Sequence, residues 1–499
     1  MALLDGIAIR NVASGHRPWP RAVVGDDGWQ AAIDRLVEGG AALFGLWGDT
    51  GAVHMALIDA GAEIAVLTYE CRDGRFPSVG TRHPPAIRPE RAIASLFGLT
   101  PAGASDRRPW LDLGFWEERH PLGAAAPAPE PEPYAFLPAE GEGLHQLPVG
   151  PVHAGIIEPG HFRFTANGER VVRLEQQLGY THKGVEFLMR GATLDKGARL
   201  ACRTSGDSTI AYGIAFAQAV EAAVNISPPP RAVYLRALMA ELERLANHFG
   251  DIGAICNDAS FSMMLAQCGI LRERVLRAAD ACFGHRLMMD MVVPGGVVRD
   301  IGDGGAGAIA DVVGETRRLF PRLVELYDKT ASLQDRTVGT GIVKPEPVRQ
   351  FAAGGYVGRA AGRAFDCRKT PGYPPYDALT FDVPVLEAGD VNARVWIRIR
   401  EVEQSLALID QILARLPAGP LLVPPVAADG EGIGFAEAFR GDVLVWIRLR
   451  GDGRIDRCHL RDASWFQWPL LEVAIEDNIV ADFPLCNKSF NASYSGHDL

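Results

Sequence analysis

Residues 150–184, GPVHAGIIEPGHFRFTANGERVVRLEQQLGYTHKG, alternate apolar and polar positions about the turn Asn167-Gly168, and from Val185 the pattern changes to a helical period. The alternating half predicts a β-hairpin with a third strand beside it. The helical period predicts long helices over roughly 185–199, 208–225, 232–256 and 262–291, with another over 306–333. In the helix over 232–256, Leu235, Leu238, Met239, Leu242 and Leu245 form a buried stripe, and Glu241, Glu243 and Arg244 are expected to project elsewhere. Sheet first and helical bundle second make this part α+β.

Upstream, residues 1–118 mix short strand-like runs (AALFGLWG, HMALIDA, AEIAVLTYE) with the helix-like DDGWQAAIDRLVEGG and a strap, RRPWLDLGFW. They predict a small α+β domain of their own. Residues 119–148 are rich in Ala, Pro and Glu and read as an extended linker; 149–499 form the second domain. Two or three domains suit 499 residues and 53.8 kDa. Downstream come strand, helix and a hairpin turning at Gly451-Asp452-Gly453. The glycine cluster at 295–307 lacks the spacing of a phosphate-binding loop and reads as a connection before a helix.

Composition removes several functions. Sixty-one acidic side chains against fifty basic ones leave a net charge of −11, which argues against nucleic acid as a partner. No apolar run is long enough for a spanning helix and the start lacks a signal-peptide pattern, so the chain is expected to be soluble and cytosolic. Eight cysteines contain no C-x-x-C pair, which removes the usual zinc and iron-sulfur spacings and predicts buried or idle thiols.

Four clusters could carry chemistry. Glu158, His161 and Arg163 head the hairpin, where they form either a proton-transfer site or a charged turn. His182 and Glu186 stand four apart at a helix start, placed to cap it or to pair. Asn247, His248 and Asp251 build either a buried polar network or ordinary helix salt bridges. Arg359, Asp366 and Arg368, with a glycine between, are typical of a loop that fixes a carboxylate by bidentate contact.

The order of GPVHAGIIEPGHFRF, GYTHKGVEFLM, SGDSTIAYGIAFAQAVE, LERLANHFGDIGA, DRTVGTGIV and GRAAGRAFDCRK resembles the large subunits of nickel-iron hydrogenases and the quinone-site subunit of respiratory complex I. The amino-terminal part, with RFPSVGTRHPPAIRPERAIASLFGLTP, resembles the complex I subunit that docks beside that large subunit, here fused to it. The fusion and the closing NIVADFPLCNKSFNASYSGHDL point to the energy-converting hydrogenase and formate hydrogenlyase branch and its relatives without the metal.

The resemblance also says where the chain departs. Family hydrogenases hold nickel and iron with four thiolates, from a C-x-x-C before the helix ending in A-V-E and from a terminal D-P-C-x-x-C. Counting back from Ala219-Val220-Glu221 puts the first pair at Ser205 and Ser208; the second is expected at Leu485 and Lys488. No nickel-iron centre is expected, because neither hydroxyls nor an aliphatic chain replace soft thiolates. The complex I quinone residues fall at Gly206 and at Ile157 or Glu158, and Tyr212 takes a place where hydrogenases often carry histidine, so Gly206 and Tyr212 are the candidates for an acceptor or quinone cavity. Glu158 matches the hydrogenase proton-gate glutamate, and Glu158, His161, Arg163, His182, Asp207 and Asp366 form a candidate proton path. The resemblance implies an oxidoreductase complex on the inner face of the cell membrane, with a small iron-sulfur subunit and antiporter-like and anchor membrane subunits as partners. This chain binds no cofactor of its own unless a quinone, and NAD, if used, binds another subunit. A redox subunit, a non-catalytic coupling subunit and a hydrogenase with unusual ligands remain as alternatives.

Overall fold

The computed structural model describes residues 2–127 and 130–499 and is a mixed α+β fold. Near the start are β1 (Ile9–Val12), β2 (His16–Arg17), β3 (Arg21–Val24), α1 (Asp26–Glu38), β4 (Ala42–Asp49), β5 (Ala52–Ile58), β6 (Ile64–Glu70) and α2 (Ile87–Phe97). Strands β1-β3-β6-β5-β4 form one sheet, parallel only between β3 and β6. Strict alternation is lost in runs such as AALFGLWG because both faces are covered: β4 to β6 are buried along most of their length.

Residues of the expected linker run largely exposed from Glu130 to Gly143; Ala128 and Pro129 lie outside the described residues. The stretch is tethered nonetheless. Arg91 donates to the Tyr134 hydroxyl at 2.8 Å, and Leu137 N–H donates to Glu175 at 2.9 Å. The expected three-stranded sheet is present as β7 (Leu144–Val149), β8 (His161–Asn167) and β9 (Arg170–Gln177), with β8 and β9 joined through Gly168 at positive φ.

The helices come next as α3 (Val185–Met189), α4 (Leu194–Ala201), α5 (Thr209–Val224), α6 (Pro230–Asp258), α7 (Ser262–Phe283) and α8 (Gly305–Lys329). A break at Arg190–Thr193 divides the single helix expected over 185–199. Farther on come α9 (Val391–Arg415), the hairpin and strand β10 (Gly430–Ala438), β11 (Gly441–Leu449) and β12 (Ile455–Arg461), then α10 (Ser464–Ala474), α11 (Phe483–Phe490) and α12 (Tyr494–Asp498).

One close approach sets the geometry of the core. Helix α5 is rich in alanine and buried on nearly every side, and it lies against β10, whose Gly430, Gly432 and Gly434 alternate on one face. A Cβ at these glycines would stand 2.2, 1.9 and 2.3 Å from the carbonyl oxygens of Ala223, Ala219 and Ala215. The spacing of four along the helix thus meets the spacing of two along the strand, and only glycine admits the contact. The sheet order is β12-β11-β10-β2, and β2 pairs parallel to β10 with His16 opposite Glu431. The first and last parts of the chain therefore share a sheet, a pairing that nothing in the local pattern announces. Arg21 reinforces it with two bonds to Glu431 at 2.7 and 2.9 Å.

Among the described residues no helix is long and apolar enough to cross a membrane. All eight cysteines are buried free thiols, as expected.

Candidate functional site

Ser205 and Ser208 sit at the entry to α5 and are buried. Ser205 Oγ donates to Asp207 Oδ1 at 2.8 Å and lies 3.0 Å from Ser493 Oγ. The chain segment that meets the first family pair is therefore the one around Ser493. Leu485 and Lys488, the expected positions of the second pair, lie earlier, on α11. The stretch Asn491-Ala492-Ser493-Tyr494-Ser495-Gly496 has the length and spacing of D-P-C-x-x-C, with Ser493 and Gly496 at the thiolate positions. That signal is present in the sequence, and the earlier Asp482-Phe483-Pro484 competes with it.

The four positions hold three hydroxyls and a glycine hydrogen, which do not fit a nickel-iron centre. Other bonds knit the place together. Gly496 N–H donates to Ser493 Oγ at 2.9 Å, Ser493 N–H to Ser464 Oγ at 2.8 Å, and Trp468 Nε1 to the Ser493 carbonyl at 3.1 Å. Tyr212, fully buried, donates its hydroxyl to Asp462 Oδ2 at 2.8 Å. Burial, and then the Asp462 carboxylate, push that phenol well above its ordinary range, so it stays a donor. A Cβ at Gly496 would stand 2.6 Å from Asp462 Oδ2 and 2.9 Å from Ser493 Oγ, so a side chain there requires the carboxylate and the hydroxyl to shift.

Asp207 faces Arg440 through two bonds, Nη1 to Oδ1 at 2.7 Å and Nη2 to Oδ2 at 2.6 Å. Burial alone would raise its carboxyl; Arg440 and the Ser205 hydroxyl hold it below the usual value. Arg440 also donates to Ser208 Oγ and to the Asn491 carbonyl, tying α5 to the closing segment. Sequence reasoning misses Arg440, Asp462, Ser464 and Ser493, because they meet the start of α5 from more than two hundred residues away.

The remaining candidates do not form one path. Glu158 is exposed, and its Oε2 accepts the Ser495 N–H at 3.1 Å. His161 and Arg163 bond to each other instead, Arg163 Nε donating to His161 Nε2 at 3.3 Å, and both rest on Phe136. His182 Nδ1 lies 2.8 Å from the Asp498 carbonyl and its ring stacks on Trp116. The pairing of His182 with Glu186 is not made: Glu186 turns to Arg457 at 2.8 Å and His459 at 2.7 Å, which hold it at about 2 against the upward pull of burial. Gly206 lies at the surface while Tyr212 and Asp366 are buried, so these three do not line a common cavity.

Asp366 belongs to a second cluster, deeper in the bundle. It takes Arg368 bidentately, with Nε to Oδ1 at 3.0 Å and Nη2 to Oδ2 at 2.6 Å, and Arg368 continues to Glu241 at 2.9 Å. Arg359 bonds Glu401 at 2.8 Å and Glu437 at 2.9 Å, and His248 Nε2 meets Glu401 at 2.7 Å. Asp251 faces Arg398 at 3.0 Å and Asn491 at 2.8 Å. Of the three helix residues Asn247, His248 and Asp251, the last two enter the buried network, whereas the half-buried Asn247 donates to the Asp207 and Glu243 carbonyls at 2.8 and 2.9 Å. Glu241, Glu243 and Arg244 do leave the leucine stripe, but into buried polar contacts rather than toward solvent.

Known proteins share this architecture. Residues 258–428 match the family model "Respiratory-chain NADH dehydrogenase, 49 Kd subunit". The chain is 32% identical to formate hydrogenlyase subunit 5 of Escherichia coli over 436 residues, covering 85% of this chain and 77% of that one. It is 32% identical to hydrogenase-4 component G of the same organism, covering 90% and 80%. It is also 31% identical to an NADH-quinone oxidoreductase subunit of Syntrophobacter fumaroxidans, covering 70% and 94%. Among solved structures, a chain of the membrane-bound sulfane sulfur reductase, an archaeal respiratory membrane complex, superposes with a TM-score of 0.68 at 26% identity, over 72% of this chain and 99% of that one. The chain belongs to the family that unites the large subunits of nickel-iron hydrogenases with the 49-kDa-type subunit of complex I.

Proposed function

We propose that the chain is the large subunit of a membrane-associated oxidoreductase complex of the complex I and energy-converting hydrogenase type, taking part in electron transfer coupled to ion translocation. Its similarity to formate hydrogenlyase, hydrogenase-4 and NADH-quinone oxidoreductase subunits supports this reading. Within it, residues 1–118 stand in for the separate complex I subunit that docks beside the large one; a five-stranded sheet built wholly from residues 9–70 supports that division. The complex sits on the cytoplasmic face of the membrane, with antiporter-like and anchor subunits below and a small iron-sulfur subunit beside this chain.

Within that electron-transferring complex the chain's own contribution is coupling and architecture, without metal chemistry of its own. The observation that carries this is the Ser205–Ser493 contact, closed in by Tyr212–Asp462: hydroxyls and hydrogen bonds fill the place where thiolates would converge. The loop 151–160 is the docking face for the iron-sulfur subunit, a reading supported by Val152 and Ile156, which at 77% and 95% are the two most exposed large apolar side chains among the described residues. A second reading, reduction of a quinone in a cavity completed by that partner, draws on Gly206 and Glu158, which stay exposed beside the hydroxyls.

Turnover by the purified complex separates the two. Under the coupling reading, Ser493→Ala leaves turnover of the intact complex unchanged; a quinone touching this place would make the same change raise the quinone KM. Ile156→Asp is expected to release the iron-sulfur subunit, and its full retention on affinity purification counts against the docking face. Glu158→Gln with unaltered turnover and proton pumping removes Glu158 from any proton path, and stoichiometric nickel in the complex overturns the coupling role.

A further inference from the structure

Of the arginines in the stretch 359–369, one is left over by the core. Arg359 and Arg368 each hold buried carboxylates. Arg363, between them, has no ion pair among the described residues: Nη1 donates to the Ala353 carbonyl at 3.1 Å, and the guanidinium lies 4.2 Å over the Phe365 ring. It is half-buried, and desolvation pulls its pKa down to about 10, a fall that Asp442 and Glu437 only partly oppose. A guanidinium carries five N–H donors in a planar fork, of which this one bond uses a single donor.

Arg363 lines a cleft of about 830 Å³ between residues 36–83 and residues 346–370. A second polar group there is unsatisfied: His83 is only 3% exposed, yet its Nε2 has no hydrogen-bond partner. Burial lowers that imidazole to about 4, so at neutral pH it is uncharged and offers either a donor or an acceptor. Of the other charges at the rim, Arg82 pairs with Asp34 and Arg349 with Glu346 at 3.2 Å, while Asp59 accepts only the Glu63 N–H at 2.9 Å and keeps its negative charge. Apolar groups complete the wall, among them Phe365, Val37 and Ile58.

We propose that this cleft binds a small organic anion, its carboxylate or phosphate on the fork of Arg363 and its apolar portion against Phe365, Val37 and Ile58. The proposal rests on the cleft's geometry: a half-buried guanidinium with no ion pair among the described residues and the buried, unpartnered His83 Nε2 line the same space, where an anion takes charge-assisted hydrogen bonds from the fork. It is independent of the coupling role and of any metal.

Calorimetric titration of the purified complex tests it with three six-carbon probes: hexanoate, hexyl phosphate and uncharged hexanol. Saturable one-to-one binding of hexanoate or hexyl phosphate is expected, the tighter of the two naming the anion, with none for hexanol. Arg363→Gln is expected to weaken that binding by at least about tenfold, the loss of one charge-assisted contact. Arg363→Lys, which keeps the charge without the fork, should fall between. Hexanol binding as tightly as the anions, anion binding indifferent to Arg363→Gln, or a wild-type complex that takes up neither anion each overturns the proposal, the last without recourse to any variant.

Discussion

Replacing Arg359 by Gln strikes the centre of the buried cluster. Its guanidinium sits among three carboxylates: Nε and Nη2 reach Glu401 at 2.8 and 2.6 Å, Nη1 reaches Glu437 at 2.9 Å, and Asp366 stands at 3.6 Å. None of these side chains is more than 1% exposed, so water cannot take over the lost contacts. Breaking a buried pair by removing one partner costs about 3–5 kcal/mol. The loss is moderated because one carboxyl can take up a proton, and the one disposed to do so is Glu437, raised already by burial and by the charge of Asp366. The sign is therefore fixed: a carboxyl raised in the folded state contributes stability while protonated and loses it as pH rises through its folded value. The variant should be destabilised by about 3 kcal/mol in mildly acidic buffer and toward about 5 kcal/mol in mildly alkaline buffer. Urea unfolding across that range is the assay, and Glu437→Gln in the same chain should recover about 1–3 kcal/mol at the alkaline end. A penalty below about 1 kcal/mol, or no recovery in the double variant, refutes the view that these charges compensate one another.

Three further outcomes are expected. Glu243 is buried against the N–H groups of Ile210 and Ala211 and is pushed up to about 8 by burial, so its contribution is whole below 4.5 and lost as pH rises through about 8; Glu243→Gln should flatten a decline of up to about 1.4 kcal/mol per pH unit over that window in thermal or urea unfolding. Gly432→Val drives a side chain into the Ala219 carbonyl and should cost at least about 1–3 kcal/mol or prevent folding, whereas a melting temperature close to wild type would show that α5 can move off the sheet. Tyr212→Phe leaves Asp462 short of a donor and should cost about 1–3 kcal/mol in urea unfolding without altering turnover of the assembled complex.

Periodicity carries the helices and the two hairpins, because each is stabilised by residues within one or two turns of one another. Thus α5 to α8 and the Asn167-Gly168 turn are legible in the sequence. The long-range terms are not. Glu241 and Arg244 look like ordinary charges on an amphipathic helix, and only the arrival of Arg368 and Glu401, more than a hundred residues away, makes their burial tolerable. For the same reason local spacing pairs Glu186 with His182, its helical neighbour, when its partners lie on β12. In the candidate site, a rigid helix fixes the count from Glu221 back to Ser205 and Ser208; the spacing around Ser493 is present in the sequence, but the earlier Asp482-Phe483-Pro484 competes with it.

The parallel pairing of β2 with β10 has a consequence for biogenesis. Arg21 and its partner Glu431 are 410 positions apart, so a ribosome working at about 5–20 residues per second needs roughly 20–80 seconds after making the first before the second exists. Throughout that interval β2 waits for its partner strand, and its length of two residues keeps the unpaired edge too short to template another chain.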